Sequence, residues 1–134
     1  ILISRLNLPI GRACIVPDLG YRIVVAVDNV IYRPNKTFLN KYYAIYQMNC
    51  KPYSENASFI ARGSTMQRIS RSMLGSIHLL LPPITEQQEI ASYLDKRCAQ
   101  IDSSISKAQK EIELLQEYKQ SLITEVVTGK RKVC

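Results

Sequence analysis

The chain has 134 residues, 46% of them hydrophobic, and a formal net charge of +7. That length suits one compact domain with an appendage better than two domains, and the basic balance is compatible with an anionic partner without requiring one. No apolar run approaches the roughly 20 residues a membrane span needs. The opening stretch is broken by Ser4, Arg5, Asn7 and Pro9, which argues against a signal peptide, so a soluble, cytoplasmic protein is expected. The first residue is Ile1 rather than Met, and the chain reads as a piece of a longer polypeptide. Cys14, Cys50, Cys98 and Cys134 lie far apart, with His78 as the sole histidine. This spacing defeats a zinc ribbon or finger, which needs close ligand pairs. The thiols are expected to be buried or incidental, with Cys134 prone to adventitious intermolecular disulfides.

Residues 1–82 read as an α+β domain. Ala13–Val16 is a short apolar run flanked by Gly11-Arg12 and Pro17, and Ile23–Val27 is rich in β-branched residues, with Val30–Tyr32 continuing or pairing with it. Phe38–Cys50 shows helical spacing through Leu39, Tyr42, Tyr43 and Tyr46, with Asn35 or Thr37 as cap. Ser54–Ala61 predicts a second short helix, and Gly63-Ser64 a turn. Ile77–Leu81 stops at Pro82-Pro83 as a buried strand would. Strands, then helices, then a strand favour an α+β arrangement over a doubly wound sheet.

Residues 83–134 predict one long helix. The prolines block helix upstream, Thr85 and Gln88 form a capping box, and Gly129 supplies a left-handed cap with Lys130, Arg131 and Lys132 beyond it. About 43 residues at 1.5 Å rise would span on the order of 64 Å. Leu94, Ile101, Ala108, Leu115 and Leu122 recur every seven residues, interleaved with Ala91, Cys98, Ile105, Ile112, Lys119 and Val126. These are the d and a positions of a heptad, which implies pairing with a second helix. Only one such helix is present, so its mate must come from a second copy, giving a homodimer, from another subunit, or from the rest of the parent chain. Lys119 is the one break in the seam.

Charge follows the same division. Residues 1–81 carry ten basic and three acidic side chains, while residues 82–134 carry eight of each. A basic globular part joined to a charge-balanced helix suggests a division of labour.

Catalytic motifs are excluded one by one. The five glycines form no phosphate- or cofactor-binding loop, and Pro82-Pro83 lies between Leu81 and Ile84, with no polar group to receive a flipped base. A formal nuclease match, Pro17-Asp18 with Glu117-x-Lys119, fails because its second half lies deep in the long helix. His78 has no evident partner and reads as a partly buried, non-catalytic residue. The chain is therefore expected not to be an enzyme and to hold no metal or cofactor. The remaining signal is basic: Arg62, Ser64, Thr65, Gln67, Arg68 and Arg71 around a glycine turn, and a second cluster of Arg33, Lys36 and Lys41. Arginine forks suit phosphates and guanine edges, and small hydroxyls at a turn suit phosphates. On composition alone a solvated basic face explains these clusters equally well. The tyrosines between Tyr32 and Tyr53 fall at helical spacing and read as core.

The stretch LPPITEQQEIASYLDKRCAQIDSSISKAQKEIELLQEYKQSLITEVVTGK resembles the spacer-helix region of type I restriction–modification specificity subunits. The similarity is carried by Pro82-Pro83, Glu86-Gln87, Ile90-Ala91, Leu94-Asp95, Ile101-Asp102 and Val127-Thr128-Gly129-Lys130. Upstream, GSTMQRIS, LGSIHLLLPP and IGRACIVP resemble parts of that family's target recognition domain. The resemblance implies a domain (residues 1–82) that reads half of a split double-stranded DNA target. It also implies a helical spacer (residues 83–134) that pairs antiparallel, and methyltransferase and restriction/translocase subunits docked on the frame. Under this resemblance the recognition domain begins part-way through, and methylation and cleavage belong to the partners. Two other readings stand beside it: the recognition module of a fused restriction–methylation enzyme, and a coiled-coil adaptor with no DNA role.

Overall fold

The computed structural model describes residues 1–7, 9–63 and 66–133. The chain divides into two compact units, Ile1–Ser92 and Tyr93–Cys134. No helix among the described residues is long and apolar enough to cross a membrane.

The first unit is α+β. Its sheet has three short strands, β1 (Leu2–Ser4), β2 (Ala13–Cys14) and β3 (Asn29–Ile31), in the order β2-β1-β3. Both pairings are antiparallel, with Ile3 opposite Ala13 on one side and Val30 on the other. Alternation along β1 turns Ile3 inward, where it is buried with Ile10, Ala13, Met48, Tyr53, Ala57, Ile69 and Leu74. Two helices follow almost without a break: α1 (Lys41–Asn49) and α2 (Lys51–Ile60). Asn40 caps α1 by accepting the N–H groups of Tyr42 and Tyr43. Pro52 sits in the first turn of α2, where its missing N–H costs nothing. Asn49 binds β2 on both sides of one residue, accepting the Ala13 N–H at 2.9 Å and donating to the Ala13 carbonyl at 2.8 Å. A short helix, α3 (Arg71–Gly75), is capped by Ser70, whose hydroxyl accepts the Met73 N–H.

The last helix, α4 (Ile84–Val127), has 44 residues. Its first turns belong to the first unit, where Ala91 is buried with Leu39, Tyr43 and Ala44. It ends as the glycine predicts: Gly129 adopts φ +72° and donates to Val126, and Arg131 N–H reaches the Glu125 carbonyl.

Several expectations are corrected. Ile23–Val27 forms no strand; Val24 is 95% and Val27 76% exposed. β-branched residues favour strands only where a neighbour covers them, and in this segment only Val25 is partly covered. The strand forms one step later, at Asn29–Ile31, against β1. Ile77–Leu81 is not a strand either, and Leu80 and Leu81 are exposed. The Gln47 amide takes the place of a neighbouring strand, accepting the Leu80 N–H at 2.9 Å and donating to its carbonyl at 2.8 Å. Asn35 and Thr37 do not cap α1; they bond to each other in a local turn. The capping box at Thr85 and Gln88 is also displaced, because α4 already begins at Ile84 with Gln87 N–H bonded to the Pro83 carbonyl. His78 is exposed rather than partly buried, as are Cys14, Cys50 and Cys98, which are all free thiols. Cys134 lies outside the described residues. Of the tyrosines, Tyr43 and Tyr53 are core, whereas Tyr42 is 47% exposed.

Candidate nucleic-acid interface

The first unit keeps few of its cations neutralised. Each of the three carboxylates before Pro82 already has a partner. Asp18 accepts the Gly20 N–H, Glu55 pairs with Lys51, and Asp28 forms an ion pair with Arg68. Arg12, Arg22, Arg33, Lys36, Lys41, Arg62 and Arg71 have no carboxylate partner among the described residues.

The structure sorts the two sequence clusters differently from their order in the chain. Arg62, Gln67 and Arg68 belong to a small hairpin, in which Arg62 and Arg68 exchange backbone hydrogen bonds of 3.0 and 2.9 Å. The hairpin is stitched to the chain after β1 by Asn7 N–H on the Gln67 carbonyl and Ile69 N–H on the Arg5 carbonyl. Gly63 makes it possible: its φ is +119°, and a Cβ there would collide with the Met66 carbonyl oxygen. Arg62 and Met66 are exposed and Gln67 is half-buried. Arg68 is committed to Asp28. Ser64 and Thr65 lie outside the described residues.

Arg71 leaves this group. It lines a depression of about 340 Å³ together with Arg5 and Arg33. Arg33 also lines the adjoining groove of about 570 Å³, where Lys36 and Lys41 are joined by Asn40, Tyr42 and Gln88. The Lys41 ammonium lies 4.9 Å from the centre of the Tyr42 ring, within cation–π range. Sequence reasoning missed Arg5, whose isolation from other basic residues hid it. Its Nε donates to the Ile69 carbonyl at 2.9 Å and its Nη1 to the Val27 carbonyl at 3.2 Å, which fixes its guanidinium.

In the second unit, the heptad positions are largely open to solvent: Ile101 is 54%, Ile105 60%, Ile112 47% and Leu115 60% exposed. Cys98 and Ala108 are exposed, while Leu94, Leu122 and Val126 are half-buried. Ala91 is the exception. Leu39, Tyr43 and Ala44 already cover it, so it serves the core of the first unit. No group of His, Cys, Asp and Glu suited to a metal occurs among the described residues.

A small α+β unit whose cations line two adjoining depressions, followed by a long helix bearing an apolar stripe, defines a class of binding protein. A family model described as the type I restriction modification DNA specificity domain matches residues 1–114, and the chain belongs to that family. Among its relatives is the putative type I restriction enzyme MjaX specificity subunit of Methanocaldococcus jannaschii. It is 29% identical over 131 residues, a match covering 96% of this chain and 30% of that protein. The type I restriction enzyme EcoKI specificity subunit of Escherichia coli is 26% identical over 100 residues, covering 75% of this chain and 21% of the relative. The EcoBI specificity subunit is 33% identical over 66 residues, covering 49% and 14%. The chain thus spans less than a third of the curated relatives it matches. No solved structure matches it significantly.

Proposed function

We propose that this chain supplies one DNA-reading unit of a type I specificity subunit. In this reading the first unit engages double-stranded DNA, and α4 joins it to a second reader through a partner helix. Methyltransferase and restriction subunits use the resulting frame, and they carry out methylation and cleavage. The observation that carries the reading is the set of basic side chains, Arg5, Arg33, Arg71, Lys36 and Lys41, along two adjoining depressions that no carboxylate lines. Cations gathered along a surface depression create a potential that attracts a polyanion. Family membership turns that general attraction toward DNA. The exposed stripe from Cys98 to Leu115 supports the helical joint, since leaving large aliphatic side chains at heptad spacing in water is unfavourable unless a second helix covers them. In isolation that second helix comes from another copy of the chain.

The test is fluorescence anisotropy of labelled duplex DNA over a salt series. Binding that weakens steeply and log-linearly with salt is expected, because phosphate contacts release counterions. Absence of duplex binding at low salt would refute the DNA-reading role and leave a helical adaptor.

A further inference from the structure

Arg5, Arg33 and Arg71 come from separate parts of the chain, yet they line one depression that no carboxylate lines. Gathering three like charges is unfavourable unless an anion enters. Arg5 is held by two backbone carbonyls, so little side-chain freedom remains to be lost when it meets a ligand. The cations do not close around a single point. From Arg33 they continue into the adjoining groove, to Lys36 and Lys41. A closed cluster would suit one small anion, whereas an open row suits a chain of regularly spaced phosphates.

Resting on the DNA-reading role above, we propose a division within the interface. The row Arg71–Arg33–Lys36–Lys41, seated on the fixed Arg5, grips the phosphate backbone without regard to sequence. Base edges are read elsewhere: Arg62, which is exposed and lines neither depression, is assigned to that role. Contacts of the first kind set register and contribute most of the salt dependence, whereas contacts of the second kind set the ratio between preferred and random DNA.

The experiment compares the full chain with Arg33→Gln/Arg71→Gln and with Arg62→Gln. Two probes are used: a random-sequence duplex, and the duplex enriched from a random library by the unsubstituted chain. Circular dichroism and thermal unfolding verify that each variant is folded, and Arg5 is left intact because it is tied into the backbone. The double variant is expected to lower the slope of log K against log salt by about 1.8, at roughly 0.9 per lost phosphate contact. It should do so on both duplexes and leave their affinity ratio unchanged. Arg62→Gln is expected to reduce the ratio and keep the slope. If the unsubstituted chain binds with steep salt dependence but the double variant keeps that slope, the phosphate row is overturned while DNA reading stands. If the unsubstituted chain binds neither duplex, both fall. Saturable micromolar binding of inorganic phosphate, lost in Arg71→Gln, would overturn the row in favour of a small-anion site.

Discussion

The Gln87 side chain accepts the backbone N–H of Asn40 at 2.9 Å, tying the first turn of α4 to the residue that caps α1. Its amide nitrogen donates to the carbonyls of Phe38 and Pro82, at 2.9 and 2.8 Å. Gln87 is 1% exposed, and an amide in such a place is tolerated because both its hydrogens and its oxygen are used. Replacing it with Leu leaves one N–H and two carbonyls without these partners. A stability loss on the order of 3 kcal/mol is expected, because each unsatisfied buried group costs about 1–3 kcal/mol and some regain water. Chemical denaturation of the substituted chain measures it, and a change below about 1 kcal/mol would mean that the amide is dispensable.

Asp28 restrains Arg68. Both side chains are more than a third exposed, so the pair adds no more than about 1 kcal/mol to stability. Asp28→Asn should therefore leave the unfolding midpoint nearly unchanged. It removes a negative charge from the first unit and frees an arginine, so affinity for random duplex DNA at low salt should rise severalfold. Unchanged or weaker binding in the anisotropy assay would mean that the Arg68 side chain does not face the DNA.

Gly63→Ala forces a side chain into a left-handed backbone facing the Met66 carbonyl. The hairpin must distort, at a cost of roughly 1–3 kcal/mol. If the hairpin reads bases, the ratio of preferred to random DNA should collapse while salt dependence persists. Retention of that ratio, measured by competition binding, would argue that the hairpin does not read.

Ile105→Lys with Ile112→Lys places charges in the middle of the exposed stripe. Light scattering under reducing conditions should show the unsubstituted chain near twice 15.3 kDa and the double variant at the monomer mass, with the first unit still folded. Full association of the variant would rule out the a/d seam as the dimer contact.

Burial raises the Tyr53 pKa above its ordinary value of 10.0. The folded chain then keeps this proton after the unfolded chain has lost it. Folding is favoured by the group below pH 10.0 and progressively less above it. Alkaline unfolding should be shallower in Tyr53→Phe, and equal slopes in a pH series of denaturation curves would refute the linkage.

Much of this was legible in the residues. The seven-residue period, the proline pair and Gly129 marked out α4 to within a residue or two of its ends, because a helix follows rules spanning only a few neighbours. The two helices expected at Phe38–Cys50 and Ser54–Ala61 were legible for the same reason, although they start three residues away, at Lys41 and Lys51. The strands were less so. Ile23–Val27 has the composition of a strand and lies exposed, while the two-residue β2 pairs with β1. Strand formation is decided by a partner distant in sequence, and local composition does not name that partner.

The sequence by itself determined the segregation of charge, since counting residues on either side of Pro82 requires no coordinates. It also determined the helix and its stripe, through periodicity alone, and the family. Only the tertiary structure decided which cations stand together. It moved Arg71 from the hairpin to Arg33, added Arg5, withdrew Arg68 to Asp28, and assigned Ala91 to the core of the first unit. The reason is the range of the forces concerned. Helical hydrogen bonds join residues four apart, whereas an electrostatic surface is assembled by folding from residues up to 66 positions apart, as Arg5 and Arg71 are.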